Sequence, residues 1–234
     1  MLRRMMDQIT PVSSEPRSTE RGVAAREHLI AHATRIFAAK GFAAATTREI
    51  CDAAGANISA IHYYFGDKEG LYRAALLQPL TEFTEAFGRF DDPALSFEQA
   101  MRMFLAPFLM TCRDSEQEEM EAQVMKLHLR EIIEPSPVFR DITQQTIVPA
   151  HNALARVLAR HCGMDEPDVD IHQLAFAIVA MAHDYCISRS LMPQLAPQVL
   201  ERPGAPELIL ERLIGYSTAL LNHEVERRAA AARA

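Results

Sequence analysis

The 234-residue sequence predicts an all-α protein, a small three-helix unit followed by a larger helical body. Three observations predict it. Apolar residues make up 49% of the chain and recur at helical rather than alternating spacing. No run of alternating β-branched residues marks a strand, and only 9 glycines interrupt the pattern. The breaks that do occur are Pro- or Gly-marked and leave segments of helical length between them.

Residues 1–20 form a polar arm containing Pro and Ser, expected to be disordered on its own, with Arg3, Arg4 and Arg17 available to reach a nucleic acid. A first helix follows over 22–40, with Leu29, Ile30, Ala33, Ile36 and Phe37 on one face, and ends at Gly41. Thr46 and Glu49 have the spacing of a capping box, in which the hydroxyl takes the Glu49 amide and the carboxylate reaches back to the Thr46 amide. A second helix therefore starts at Thr47 and lasts about two turns, because Gly55 best adopts the left-handed backbone that ends a helix. Asn57 caps a third short helix, Ile58 to Tyr64.

Two short helices joined by a Gly-containing turn cross steeply, as in a helix-turn-helix. Ile50, Ala53, Ala54, Ile58 and Ile61 are the apolar positions expected to hold the pair together. Arg48, Asn57, Ser59, Ala60, His62, Tyr63 and Tyr64 are left for the outer face. Small residues at 59 and 60 would let the helix enter a DNA major groove about 12 Å wide, where polar groups or a methyl meet base edges. Tyr63, Tyr64 and Lys68 can donate to phosphates, and the helix start at Thr47 adds backbone amides.

Asp67 caps a fourth helix that should run to about Gly88, with Pro79 bending it. The body then reads as segments at about 96–112, 117–133, 136–162, 168–190 and 205–231. They are separated at Asp114-Ser115, Pro135-Ser136-Pro137, Gly163 to Pro167, and Pro193 through Pro206. Pro149 should kink the third of these or begin a new helix.

The net charge of −7 is unevenly placed. Residues 1–73 carry 10 Lys+Arg against 8 Asp+Glu, and residues 74–234 carry 14 against 23. A mildly basic head under an acidic body suits local phosphate contacts and excludes a broad nonspecific nucleic-acid coat. Cys51, Cys112, Cys162 and Cys186 form no C-x-x-C pair and read as reduced thiols, with a redox role for Cys51 the sharper alternative. The N-terminus lacks an apolar signal core and no run of 18 apolar residues follows, so a cytoplasmic protein without a membrane span is expected. No phosphate-binding Gly loop or nucleophile elbow is present, and His128 and Glu131, one turn apart, lack the partners of a di-iron bundle. Neither catalysis nor a metal or other cofactor is expected.

The stretch GFAAATTREICDAAGANISAIHYYFGDKEGLYRAAL resembles the DNA-binding domain of TetR-family transcriptional regulators. The likeness rests on the Gly41-Phe42 turn, the TTREI start, the Gly55 turn, the YYF run and the Lys68-Glu69 pair. Asn57-Ile58-Ser59 departs from the family's commoner serine cap. Residues 126–154 are similar to the C-terminal domain of CecR-type members.

The resemblance implies a DNA-binding domain over 21–66 and a ligand-binding and dimerisation domain over 67–234. It implies phosphate contacts at Thr47, Tyr64 and Lys68, and a groove-facing set at Ser59, Ala60, His62 and Tyr63. It also implies a homodimer on a near-palindromic double-stranded DNA operator, paired through the last two long helices. There Ile171, Leu174, Ile178, Leu213, Ser217 and Leu220 follow helical spacing, and Ala177, Ala180 and Gly215 allow close approach. A small apolar or aromatic effector would occupy a pocket drawn from Met101, Phe104, Phe108, Met125, His128, Phe176, Met181 and Tyr185, since Met and Phe make adaptable apolar walls. The expected function is a ligand-responsive repressor. The alternative from another class is a helical small-molecule carrier or enzyme that kept a vestigial head.

Overall fold

The computed structural model describes residues 15–85, 88–109 and 115–233, and everything described that is regular is helical. α1 (Glu15–Ala44), α2 (Thr47–Ala54), α3 (Ile58–Phe65) and α4 (Lys68–Glu85) make the head. α5 (Phe97–Leu109), α6 (Ser115–Ile133) and α7 (Pro137–Ile142) follow, then a π-helical turn (Thr143–Ile147) and α8 (Val148–His161). α9 (Val169–Ile187), two one-turn helices α10 (Met192–Leu195) and α11 (Gln198–Glu201), and the long α12 (Ala205–Ala231) complete the chain.

α1 begins at Glu15, inside the stretch read as a disordered arm. Pro16 falls in its first turn, where a missing N–H costs nothing, and the charged residues that follow are ordinary helix formers. Residues 1–14, with Arg3 and Arg4, lie outside the described residues, as do the Asp114 side of the first body break and Cys112. Gly41, at φ 77°, breaks the helical path of α1 where the sequence places its end. Pro149 stands in the first turn of α8 and so begins a new helix, the π-turn absorbing the offset from α7.

Two apolar clusters organise these helices. One gathers Leu29, Phe37, Ile50, Ile61, Leu71 and Tyr72 of the head, but it is completed by Leu127 of α6 and by Val138, Phe139 and Ile142 of α7. The other joins α5, α8, α9 and α12 through Met101, Leu105, Leu154, Leu158, Ile178 and Leu213. α12 is clasped to the start of α9 by an ion-pair network. Arg228 reaches Asp168 at 2.8 Å and Glu224 at 2.5 Å, and Arg227 reaches Asp170 at 2.5 Å.

The stripes expected to pair two copies are corrected by this packing. Ile171, Ile178 and Ser217 are fully buried, Leu174 and Leu213 are buried, and Leu220 packs against the same cluster. They serve the chain's own core. The more apolar face of an amphipathic helix is the one that periodicity detects, and here that face is already occupied. The opposite face of α9 exposes Val169, Phe176, Ala177, Ala180 and Ile187, and that of α12 exposes Leu208, Gly215, Tyr216 and Ala219.

Candidate DNA-reading head and effector cleft

The head is set by its caps. Thr46 is extended and its hydroxyl accepts from the Glu49 amide at 3.2 Å. The Glu49 carboxylate is drawn instead to Lys40 of α1 at 2.5 Å, so the second half of the expected box becomes an ion pair between α1 and α2. Gly55, at φ 59° and ψ 29°, ends α2 in the left-handed region, and Asn57 Oδ1 accepts from the Ser59 amide to start α3. Asp67 accepts from the Gly70 amide at 2.8 Å and starts α4. Gly70 is required there: a Cβ at this position would stand 2.0 Å from the Phe65 carbonyl oxygen, so only glycine lets α4 begin so close behind α3.

Ile50, Ala54 and Ile61 hold α2 and α3 together as expected, joined by a buried Cys51. Ala53 and Ile58 do not: both are exposed, because Ile58 opens α3 with no preceding turn to cover it. Burial pushes the Cys51 thiol up, with Asp52 adding to the effect, the opposite of what a reactive thiolate needs.

The predicted reading residues fall into two groups. Arg48, Asn57, Ser59, His62 and Tyr63 are exposed, Tyr63 to 82%. His62 turns its Nδ1 to the Gly66 carbonyl at 2.8 Å, which leaves Nε2 outward. Thr47, Ala60, Tyr64 and Lys68 are half-buried. Tyr64 packs on the head's core, its hydroxyl close to Gly22 of α1, and the Lys68 ammonium sits 4.5 Å above the Phe42 ring.

Beside the head lies a cleft of about 2050 Å³, walled by α1 and α4 to α9. Of the residues named for an effector pocket, Phe104, Phe108, Met125, His128 and Phe176 line this cleft. Met101, Met181 and Tyr185 do not. Met101 is fully buried, and the other two pack against the α5–α8–α9–α12 cluster. Their apolar character belongs to that core, which composition alone cannot separate from a pocket wall.

One turn of α6 joins cleft and head. His128, Arg130 and Glu131 all line the cleft. His128 Nε2 meets the Leu76 carbonyl of α4 at 3.1 Å. The Arg130 guanidinium covers Gly41, where a Cβ would meet Cζ at 2.8 Å. Glu131, 3% exposed, accepts a short hydrogen bond from Tyr72 of α4 and another from the Ser136 amide at 2.8 Å. Burial, then the Glu131 bond, raise the Tyr72 phenol far above its ordinary range, so it stays a donor. Arg73 adds an ion pair to Asp141 of α7 at 3.0 Å. Tyr72 and Glu131 therefore form a polar link across 59 positions. Its only sequence signal was an acid, Glu131, on the apolar side of a helix.

Among the described residues no group of three or more His, Cys, Asp and Glu converges as for a metal, and no helix is long and apolar enough to cross a membrane.

Residues 29–75 match the family model for bacterial regulatory proteins of the tetR family, and residues 97–219 match that for the C-terminal domain of the HTH-type transcriptional dual regulator CecR. The CecR regulator of Shigella flexneri is 34% identical over 168 residues, spanning 66% of this chain and 72% of that protein. The chain belongs to the TetR family. Its C-terminal domain is CecR-like, and its relatives are transcriptional regulators rather than enzymes. The chain is also similar to the transcriptional regulator BetI of Stenotrophomonas maltophilia, 40% identical over 73 residues, 29% of this chain and 37% of that one. In fold it resembles the TetR-family regulator PfmR of Thermus thermophilus (TM-score 0.54, 20% identity, 83% of this chain and 97% of that one). It also resembles SmeT in its triclosan complex (TM-score 0.58, 18% identity, 82% and 91%).

Proposed function

We propose that this TetR-family protein is a cytoplasmic, homodimeric repressor that releases a near-palindromic operator when a small apolar or aromatic effector fills the cleft. The observation that carries the reading is the α6 turn at residues 128–131, whose polar side chains line the cleft and hold α1 and α4 of the head. A molecule with different affinity for two positions of that turn shifts the populations of two head positions. The triclosan bound by SmeT is an apolar aromatic and accords with this class.

In the bound state α3 enters the major groove. Ser59, Ala60, His62 and Tyr63 meet base edges, and the exposed Ile58 adds an apolar contact suited to a thymine methyl. Thr47, Arg48, Asn57, Tyr64 and Lys68 hold the backbone, Tyr64 and Lys68 reaching phosphate by leaving their half-buried positions. The two copies pair through the outward faces of α9 and α12, which places the reading helices one DNA turn apart, about 34–36 Å.

The test is selection of bound fragments from sheared genomic DNA, followed by titration of one fragment at two salt concentrations. A short near-palindrome with a steep salt dependence is expected. Recovery of no common sequence, or an affinity insensitive to every cleft-filling aromatic tried, would overturn the proposal.

A further inference from the structure

Among the described residues, one histidine of the cleft has no hydrogen-bond partner from the protein. His128 meets two carbonyls and His151 meets His172 at 3.0 Å, whereas His183 of α9 makes only an edge-on contact to the Phe108 ring at 5.3 Å. Phe108 is itself fixed, its carbonyl accepting from Cys186 one turn further along α9. His183, Phe108, Phe104 and Val179 line the same space, so the imidazole interrupts an apolar stretch of its wall. Burial alone lowers its pKa, with no charged group adding to the shift, so the ring is neutral near pH 7. A neutral imidazole carries one donor and one acceptor in either tautomer. The group that answers both tautomers is a hydroxyl, which donates to the bare nitrogen or accepts from the N–H. A carboxylate only accepts and an ammonium only donates, so each answers one tautomer alone.

We infer that the effector is a neutral, ring-bearing hydroxyl compound of phenolic type, its hydroxyl hydrogen-bonded to His183 and its ring packed on Phe104 and Phe108. This rests on the cleft being the effector site. No electron transfer or bond-making is involved, and binding is reversible.

Calorimetry of the full chain with 4-propylphenol, propylbenzene and 4-propylbenzoate tests it. The phenol should bind about tenfold more tightly than the hydrocarbon, the size of one neutral hydrogen bond made in place of an unmade one. His183→Phe should reverse that order, because the hydroxyl is then buried without a partner. His183→Gln, which still donates and accepts, should keep it. Equal or tighter binding of propylbenzene or the benzoate by the wild type, or a phenol preference surviving in His183→Phe, overturns the inference while leaving the cleft as a binding site. Binding of none of the three overturns the cleft reading itself.

Discussion

Replacing Gly70 with alanine puts a methyl group against a backbone atom that has nowhere to go. The added Cβ would lie 2.0 Å from the Phe65 carbonyl oxygen and 3.1 Å from its carbon, and the first of these must widen to about 3.4 Å for ordinary contact. Both atoms belong to backbone, so no side-chain rotation relieves the clash and α3 must move relative to α4. Overpacking of this kind costs about 3 kcal/mol, and the better helix propensity of alanine returns about 1. A net loss of roughly 2 kcal/mol lowers Tm by about 4–8 °C in a chain of this size. Operator affinity should fall further than stability, since the displaced element is the reading helix. Gly22→Ala is the control: its Cβ meets the Tyr64 hydroxyl at a comfortable 3.7 Å, and Tm should hold or rise. Thermal melting by circular dichroism and fluorescence anisotropy with an operator duplex report both quantities. Gly70→Ala with wild-type melting and wild-type affinity would refute the described junction of α3 and α4.

Further outcomes follow from the same contacts. Tyr72→Phe leaves the buried Glu131 carboxylate with the Ser136 amide alone and should cost about 2 kcal/mol in urea denaturation. Combined with Glu131→Gln the losses should be non-additive, and strict additivity would mean that the pair does not interact. The Arg228 guanidinium, then the Ile171 amide, hold Asp168 at about 2, below its ordinary 3.8. Its contribution is complete above pH 4 and lost as pH falls toward 2. Its side chain is 42% exposed, so solvent screening limits the gain to roughly 1 kcal/mol. Asp168→Asn, which keeps the helix cap, should therefore flatten the acid limb of stability, and an unchanged limb would count against the ion pair. Phe176→Asp should leave melting of the fold intact but shift sedimentation from dimer to monomer, and a persisting dimer would place the pairing face elsewhere.

What could be read from sequence was local. Thr46, Gly55, Asn57 and Asp67 act within three or four residues of themselves, so their chemistry shows in the order of the letters. The helical class follows from periodicity for the same reason. Ile178 and Phe176 show where this stops. Both sit on an apolar α9, and which one meets the chain's own core is decided by α5, α8 and α12, not by α9. Met101 and Met125 differ likewise, one in the core and one on the cleft, with nothing local to separate them. The Tyr72–Glu131 bond is more remote still, a pair created by the fold, which a single sequence contains only as two unrelated residues.

Phe176 lines the cleft and is also 64% exposed on the outward face of α9, with His151 against its ring at 4.7 Å. Under the proposed pairing, the second copy covers the outer side of a wall whose inner side the effector touches. Occupancy and association are then linked by mass action, and each alters the apparent strength of the other. The dose of effector that frees the operator would depend on how much of the protein a cell contains, so a change in expression level alone would reset the threshold of the switch.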